Sequence, residues 1–193
     1  AYLQAQGIPT HWHDARLALC SDDHAGMSER ASFLSATCAY SADPHLQAEL
    51  AALPGVVLTQ GFIARNGRGE TVLLGRGGSD TSGAYFAGRL AAERCEIWTD
   101  VPGMFSSDPR LVPGSRLLKA LRYEEAQEIA STGGSVLHPR SISPVRRAGI
   151  PLWIKSTQRP DAVGTVIAQD AGDDAPRVKA ISRRKGITLV SME

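Results

Sequence analysis

Apolar residues recur along this chain with two periods. From 56 to 63 they cluster (Val56, Val57, Leu58, Phe62, Ile63), read as a buried-type strand. Asn66-Gly67 and Gly69 follow as a hairpin signal, and 71–74 returns as the partner strand. Helical spacing takes over elsewhere. Leu46, Leu50 and Leu53 predict a helix over 45–53, opened by Asp43-Pro44 and stopped by Pro54-Gly55. Small residues (Ala84, Ala87, Gly88, Ala91) mark a tightly packing helix over 81–92. A short strand is expected at 96–99, then a turn-rich loop, 100–110. Helices are expected at 123–131, ending at Gly133-Gly134, and from His138-Pro139 to 148. Strands are expected at 150–154 and 164–167. Residues 12–19 read as a strand or a short helix, and the rest of 1–55 alternates short apolar stretches with polar loops.

Strand, helix, strand, helix, strand implies an α/β fold, a three-layer α/β/α sandwich around a mainly parallel sheet. Ligands collect beyond the carboxyl ends of strands in such folds. Residues 76–80 and 99–110 both follow strands, so they are expected to share one cleft. The expected domain spans 1–168. A polar linker, 169–177, precedes strands at 178–182 and 187–191, the start of a second unit (178–193).

Composition changes this picture little. The 193 residues are 42% hydrophobic and 21% charged, with net charge +1, enough for one core and without a nucleic-acid footprint. From Arg140 onward ten Lys/Arg face five Asp/Glu, which reads as a solvated face more readily than a polyanion site. Cys20, Cys38 and Cys95 are widely spaced, as in reduced cytosolic proteins. No apolar run approaches the roughly 20 residues of a membrane helix, and the start lacks the features of a signal peptide. The chain opens without Met and in mid-pattern, which reads as a piece of a longer protein.

The candidate chemistry centres on Leu74-Gly75-Arg76-Gly77-Gly78-Ser79-Asp80-Thr81. Glycines in a strand-to-helix turn admit close approach of a ligand to the backbone. A helix start adds unpaired N–H groups for an anion. Arg76 and Asp80 carry opposite charges, suited to clamping a zwitterion, with a helix-start ion pair as the plain alternative. Asp100 is a binding candidate or a cap for the Pro102-Gly103 turn. Asp108 reads as a turn residue and His138 as a helix-start residue. Trp98 and Trp153 read as core. His11, His13 and Asp14 form too weak a pattern for a metal site.

These stretches, in order, resemble aspartokinase, a member of the amino acid kinase family. The match runs through 74–82, Ile97-Trp98-Thr99-Asp100-Val101-Pro102-Gly103, Asp108-Pro109-Arg110, Glu125-Ala126, Val136-Leu137-His138-Pro139, Arg159-Pro160 and Gly164-Thr165. Residues 178–193 resemble the first strands of an ACT regulatory domain. Residues 95–103 and 124–129 are most similar to the aspartokinase half of fusions with diaminopimelate decarboxylase. The resemblance implies transfer of the ATP γ-phosphate to the β-carboxylate of L-aspartate, with Mg²⁺, toward lysine, threonine and methionine. The thiols, the charge balance and the hydropathy imply a cytoplasmic protein without nucleic-acid or membrane partners, and the resemblance implies homo-oligomers through ACT domains. Arg76 would pair with an aspartate carboxylate. Asp80 would hold the ammonium or organise cationic groups around the transferred phosphoryl. Gly77, Gly78 and Ser79 would present backbone and hydroxyl donors. Thr99, Asp100, Phe105, Arg110, Ser135 and Val136 would line the nucleotide.

The chain departs from the family pattern twice. The family's Lys-Phe-Gly-Gly phosphate loop does not occur within these residues, and Ser135 stands where the family carries Lys. Losing a cation beside a triphosphate costs on the order of 2–4 kcal/mol of transition-state stabilisation. Doubtful activity of this chain alone is therefore expected. The competing readings are a kinase of another amino acid such as glutamate, and a non-catalytic binding module.

Overall fold

A computed structural model describes residues 1–22, 26, 28–133, 136–172, 178–183 and 186. In chain order the elements are α1 (Tyr2–Ala5), β1 (Thr10–Trp12), α2 (Ala15–Ala18), α3 (Glu29–Leu34), α4 (Pro44–Ala51), β2 (Val56–Leu58), β3 (Ile63–Arg65), β4 (Thr71–Leu73), α5 (Gly78–Arg89), β5 (Cys95–Thr99), β6 (Ala120–Leu121), α6 (Tyr123–Thr132), a 3₁₀ turn (Pro139–Ser141), α7 (Ile142–Ala148), β7 (Leu152–Ser156) and β8 (Thr165–Ile167).

Local chemistry accounts for several boundaries. The Asp43 carboxylate accepts from His45 N and Leu46 N, both at 3.1 Å, and Pro44 fills the first helical position of α4. In the β3–β4 hairpin the Asn66 side chain accepts from Arg68 N and Glu70 N, fixing the turn. Glu125 closes α6 by accepting from Arg122 N at 2.9 Å.

The expected strand over 56–63 is two strands. Between them Phe62 takes a left-handed φ of 74°, and its N–H donates to Ser82 Oγ at 3.2 Å. This bend turns Gln60 toward Ala15, whose N–H it accepts at 2.7 Å. Residues 12–19 divide into β1, a connection and α2.

β1 and β2 pair in parallel, and β3 pairs with β4 antiparallel. The larger sheet has the order β5-β7-β8-β6. Within it β5–β7 and β6–β8 are parallel and β7–β8 is antiparallel, so parallel pairings are in the majority, as expected. The exception has a simple cause: only 157–164 connect β7 to β8, too short for the dozen or more residues of a parallel crossover.

Helices α5, α6 and α7 bury one face of this sheet. Leu121, Leu152, Ile154 and Ile167 are fully enclosed with Ile142, Val145 and Tyr123, each side chain contributing about 1.5–3 kcal/mol by burial. The Tyr123 hydroxyl donates to Ile150 O at 2.7 Å, satisfying the group the core encloses. A second cluster joins Leu19, Ala36, Cys38, Ala64, Val72, Leu74 and Tyr85 beneath the hairpin.

Trp98 departs from its expected place in the core and is 43% exposed. It lies on edge strand β5, alternating with the buried Cys95 and Ile97. Its indole N–H donates to Glu96 at 3.0 Å, and Lys155 stands 5.0 Å over its ring. The strand expected at 178–182 is likewise not formed, because 178–183 find no partner strand among the described residues. The strand expected at 187–191 lies outside the described residues. Among the described residues no helix is long and apolar enough to cross a membrane.

Candidate active site at the Gly77 turn

The chain leaves β4 through Gly75 and Gly77, with φ of 74° and 68°. These left-handed positions close a tight turn, with Gly78 N donating to Gly75 O at 2.9 Å. Helix α5 therefore begins at Gly78, three residues earlier than the periodicity predicts. Ser79 and Asp80 fall in its first turn, where their N–H groups have no acceptor among the described residues. A Cβ on Gly78 would lie 2.4 Å from the Phe62 ring, so only glycine allows that ring to close the turn. Ser82 Oγ donates to Ser79 O at 2.8 Å, tying the same turn to Phe62.

Arg76 is exposed and Asp80 half-buried. They form no ion pair with each other, and neither side chain makes a hydrogen bond among the described residues. The plain ion-pair alternative is thereby removed. Burial pushes the Asp80 carboxyl above its ordinary range, while His138 works in the opposite direction. A carboxylate and a guanidinium with no hydrogen-bond partner among the described residues thus lie near His138, which both influence, beside the helix-start N–H groups.

His138 joins this site from a distant part of the chain. A Cβ on Gly77 would sit 2.2 Å from His138 Cβ, so the histidine rests directly on the turn. Its Nδ1 accepts from Arg140 N at 3.3 Å, the capping role the sequence predicts. Burial, then Arg140 and Arg76, holds its pKa below the ordinary 6.5, with Asp80 opposing. The sequence gives no signal for its nearness to Arg76 and Asp80, since the contact is purely tertiary. Phe62 and Ser82 are missed for the same reason. Arg140 locks the segment in place by donating to Leu74 O at 2.7 Å and Ala36 O at 2.6 Å.

The second group of expected residues lies after β5. Thr99 and Asp100 stand at its carboxyl end, with the Thr99 hydroxyl donating to Asp100 at 3.2 Å. Asp100 makes no hydrogen bond to the Pro102-Gly103 turn, so the capping alternative is not realised. Residues 104–118 then form a hairpin-like excursion. Leu118 N donates to Met104 O at 2.8 Å and Ser106 N to Arg116 O at 2.9 Å, and Phe105 bridges to Leu117. Its base is held by the fully buried Thr165, whose hydroxyl accepts from Met104 N at 2.9 Å and donates to Leu118 O at 2.7 Å. Near its tip Arg110 is 82% exposed and paired with Asp108, which also accepts from Arg110 N at 3.0 Å. Asp108 is thus the turn residue expected. Val136 is half-buried and packs on the main core. Ser135 lies outside the described residues.

A cleft of about 360 Å³ opens on the β2 side of α5, walled by Gln60, Ser79, Ser82 and His13. His13 is buried with an unpartnered Nε2. Asp14 is engaged instead with Arg16 at 2.6 Å and Gln60 at 3.2 Å. Among the described residues no group of three or more His, Cys, Asp or Glu is placed to hold a metal ion.

The chain is similar to lysine-sensitive aspartokinase 3 of Escherichia coli K12, 35% identical over 98% of this chain and 41% of that protein. It is 46% identical to the bifunctional aspartokinase/homoserine dehydrogenase of Haemophilus influenzae over 71% of this chain and 17% of the relative. It thus spans less than half the length of these curated relatives. The fold is similar to E. coli aspartokinase III in complex with aspartate and ADP, with a TM-score of 0.72 at 36% identity, over 86% of this chain and 36% of that one. The sequence model of the amino acid kinase family matches residues 1–156, which hold the turn, Asp80, His138 and the 104–118 excursion. This chain belongs to the amino acid kinase family.

Proposed function

We propose that the chain is part of an aspartate kinase, which transfers the γ-phosphoryl group of ATP to the β-carboxylate of L-aspartate. The observation that carries this is the Gly77 turn, where Arg76 and Asp80 make no ion pair with each other among the described residues and both act electrostatically on His138. A zwitterionic amino acid satisfies both. Arg76 takes a carboxylate through its planar fork, and Asp80 holds the ammonium or orders cationic groups around the phosphoryl. Ser79 and its neighbouring N–H groups steady the negative charge. The similarity to an aspartokinase solved with aspartate and ADP supports the same pairing of ligands.

The nucleotide side consists of Thr99, Asp100, Phe105, Arg110, Ser135 and Val136 in this reading. Phe105 offers a ring face to the base, and Arg110 exchanges Asp108 for a phosphate. A β-carboxylate oxygen forms a bond to the γ-phosphorus as the bond to the β,γ-bridging oxygen breaks, releasing ADP and leaving an acyl phosphate. Protein groups position and neutralise; they form no covalent intermediate. The donor set fits Mg²⁺ held mainly by the nucleotide phosphates and water, with at most one carboxylate such as Asp80, because no protein cage exists among the described residues. When bound, the ion neutralises charge on the transferring phosphoryl.

The finer parts of the reading belong to the same proposal: a lysine, threonine and methionine pathway, a reducing cytoplasmic setting for the free Cys20, Cys38 and Cys95, and copies that associate through an ACT-type unit begun by residues 178–193. A second reading, a binding module without turnover, is favoured by Ser135 in place of lysine.

Calorimetry with L-aspartate, L-glutamate and Mg-ADP, together with trapping of acyl phosphate by hydroxylamine, tests the reading. Aspartate binding and hydroxamate formation support it. Preference for glutamate replaces the substrate, binding without hydroxamate favours the module, and absence of binding to all three removes the assignment for this chain.

A further inference from the structure

The stretch after the family match does not leave the domain as a free linker. It returns to contact both the 104–118 excursion and α6. Ile181 N donates to Ser106 O at 2.8 Å. Ser106 follows Phe105 and holds the 104–118 excursion together through Arg116, whose N–H donates to Ser106 Oγ at 3.0 Å. One residue further, Ser182 Oγ donates to Thr132 Oγ1 at 2.7 Å, at the last residue of α6. Gly133, which ends that helix, lies against Arg183, and a Cβ there would be 3.0 Å from Arg183 O. At the other end of α6, Lys179 Nζ donates to Glu125 Oε1 at 2.5 Å, while the other Glu125 oxygen accepts from Arg122 N.

These contacts are polar and directional. Val178 and Ile181 are 77% and 70% exposed, so the segment is not held by burying its apolar side chains. Its first residues, Val178 and Lys179, line a cleft of about 550 Å³ together with residues 116–120 and Gly172. A chain hydrogen-bonded to two elements at once fixes the distance between them. The excursion carries Phe105 and Arg110, and α6 leads along the chain toward Val136.

We propose that residues 179–183 are a positioning strap, which sets the 104–118 excursion against α6 and so fixes the width of the nucleotide side of the cleft. This rests on the nucleotide assignment of the preceding subsection. The strap lies beyond residue 156, where the family match ends, so the piece that sets nucleotide affinity is supplied by the C-terminal extension. The strap acts on nucleotide binding before aspartate binding, because the strap hydrogen bonds described above go to Ser106, Glu125 and Thr132 and not to the Gly77 turn.

The test uses the full 193-residue chain and the variants Ser182→Ala and Ile181→Pro, which remove the hydroxyl and the N–H that the strap donates. Neither position is buried, so both variants are expected to fold. Hydrogen exchange followed by mass spectrometry reads the two elements, and calorimetry with Mg-ADP and with L-aspartate reads the site. Each variant is expected to speed exchange in both 104–118 and 123–133. Each also weakens Mg-ADP binding about three- to tenfold, the scale of one hydrogen bond, while aspartate affinity is unchanged. Unchanged exchange, loosening of one element alone, or equal loss of both ligands overturns the strap. If the unaltered chain binds neither ligand, the kinase reading is what fails, and the two-element exchange pattern alone decides the strap.

Discussion

Gly77 and His138 are packed so closely that a Cβ on Gly77 would lie 2.2 Å from His138 Cβ. Residues distant in sequence thereby become one wall of the site. The turn needs glycine twice over, for its φ of 68° and for the ring that rests on it.

Gly77→Ala is accordingly expected to cost about 2–4 kcal/mol in urea unfolding, the sum of backbone strain and overpacking. It also displaces His138 and weakens aspartate binding. A variant as stable as the parent rules out this packing.

Arg76→Ala is expected to leave stability within about 0.5 kcal/mol, because Arg76 is exposed and holds no other group among the described residues. Aspartate affinity falls at least about tenfold, on the scale of a charge-assisted pair. Arg76→Lys recovers only part of it, lacking the planar fork. Calorimetry on the three proteins decides; unchanged affinity in the alanine variant places the carboxylate elsewhere.

Asp80 gives a prediction with opposite signs for stability and function. Its carboxyl is raised above 3.8 by burial, so the folded state binds more protons than the unfolded one between the two values. Its contribution is therefore present at low pH and is lost as pH rises through the raised value. Asp80→Asn is expected to raise the melting temperature at neutral pH while abolishing aspartate binding. His138 has the reverse sign: its lowered pKa means stability falls as pH drops through the ordinary imidazole value of 6.5. His138→Asn retains an acceptor for Arg140 N and flattens that part of the profile. Melting temperatures of the three proteins between pH 4 and 8 check both signs.

Thr165→Val removes a fully buried hydroxyl that serves Met104 N and Leu118 O. A loss of about 2–4 kcal/mol is expected from two buried backbone groups left unpaired. Mg-ADP affinity falls with it and aspartate affinity holds, because the hydroxyl closes the base of the 104–118 excursion. Thr165→Ser keeps the hydroxyl and restores nucleotide binding. Equal effects on the two ligands contradict this role.

The thiols differ in reach. Burial pushes Cys38 up to about 12 and Cys95 up to about 11, whereas Cys20 is partly exposed. At pH 8 a disulfide reagent is expected to titrate one thiol in the native chain and three after unfolding. Fast reaction of two or more native thiols refutes the burial of Cys38 or Cys95.

The α/β alternation, the Asn66 hairpin, α4, α6 and the strands after Gly149 and Gly164 were legible in sequence, because each rests on local spacing and on turn or cap residues. The break of 56–63 at Phe62 was not, since a left-handed phenylalanine is imposed by the Ser82 hydroxyl and the packed ring. The two-residue β6 carries too few residues for any period. Trp98 was misread because its exposure depends on which strand lies at the edge, and hydrophobicity alone does not report that. The 178–182 segment has strand-like composition but finds contacts with α6 and Ser106 instead of a partner strand.

The sequence by itself determined the element types, the glycine-rich turn, the opposite charges of Arg76 and Asp80, and the ordered motifs that place the chain in its family. These are properties of neighbours along the chain, where backbone sterics and short-range hydrogen bonds dominate. Tertiary structure alone decided that Arg76 and Asp80 leave each other unpaired, that His138 stands on Gly77, and that Thr165 closes the excursion from 104 to 118. It alone carried residues 179–183 back onto the 104–118 excursion and α6. Such relationships depend on which distant surfaces the buried core forces together, and no local pattern encodes that choice.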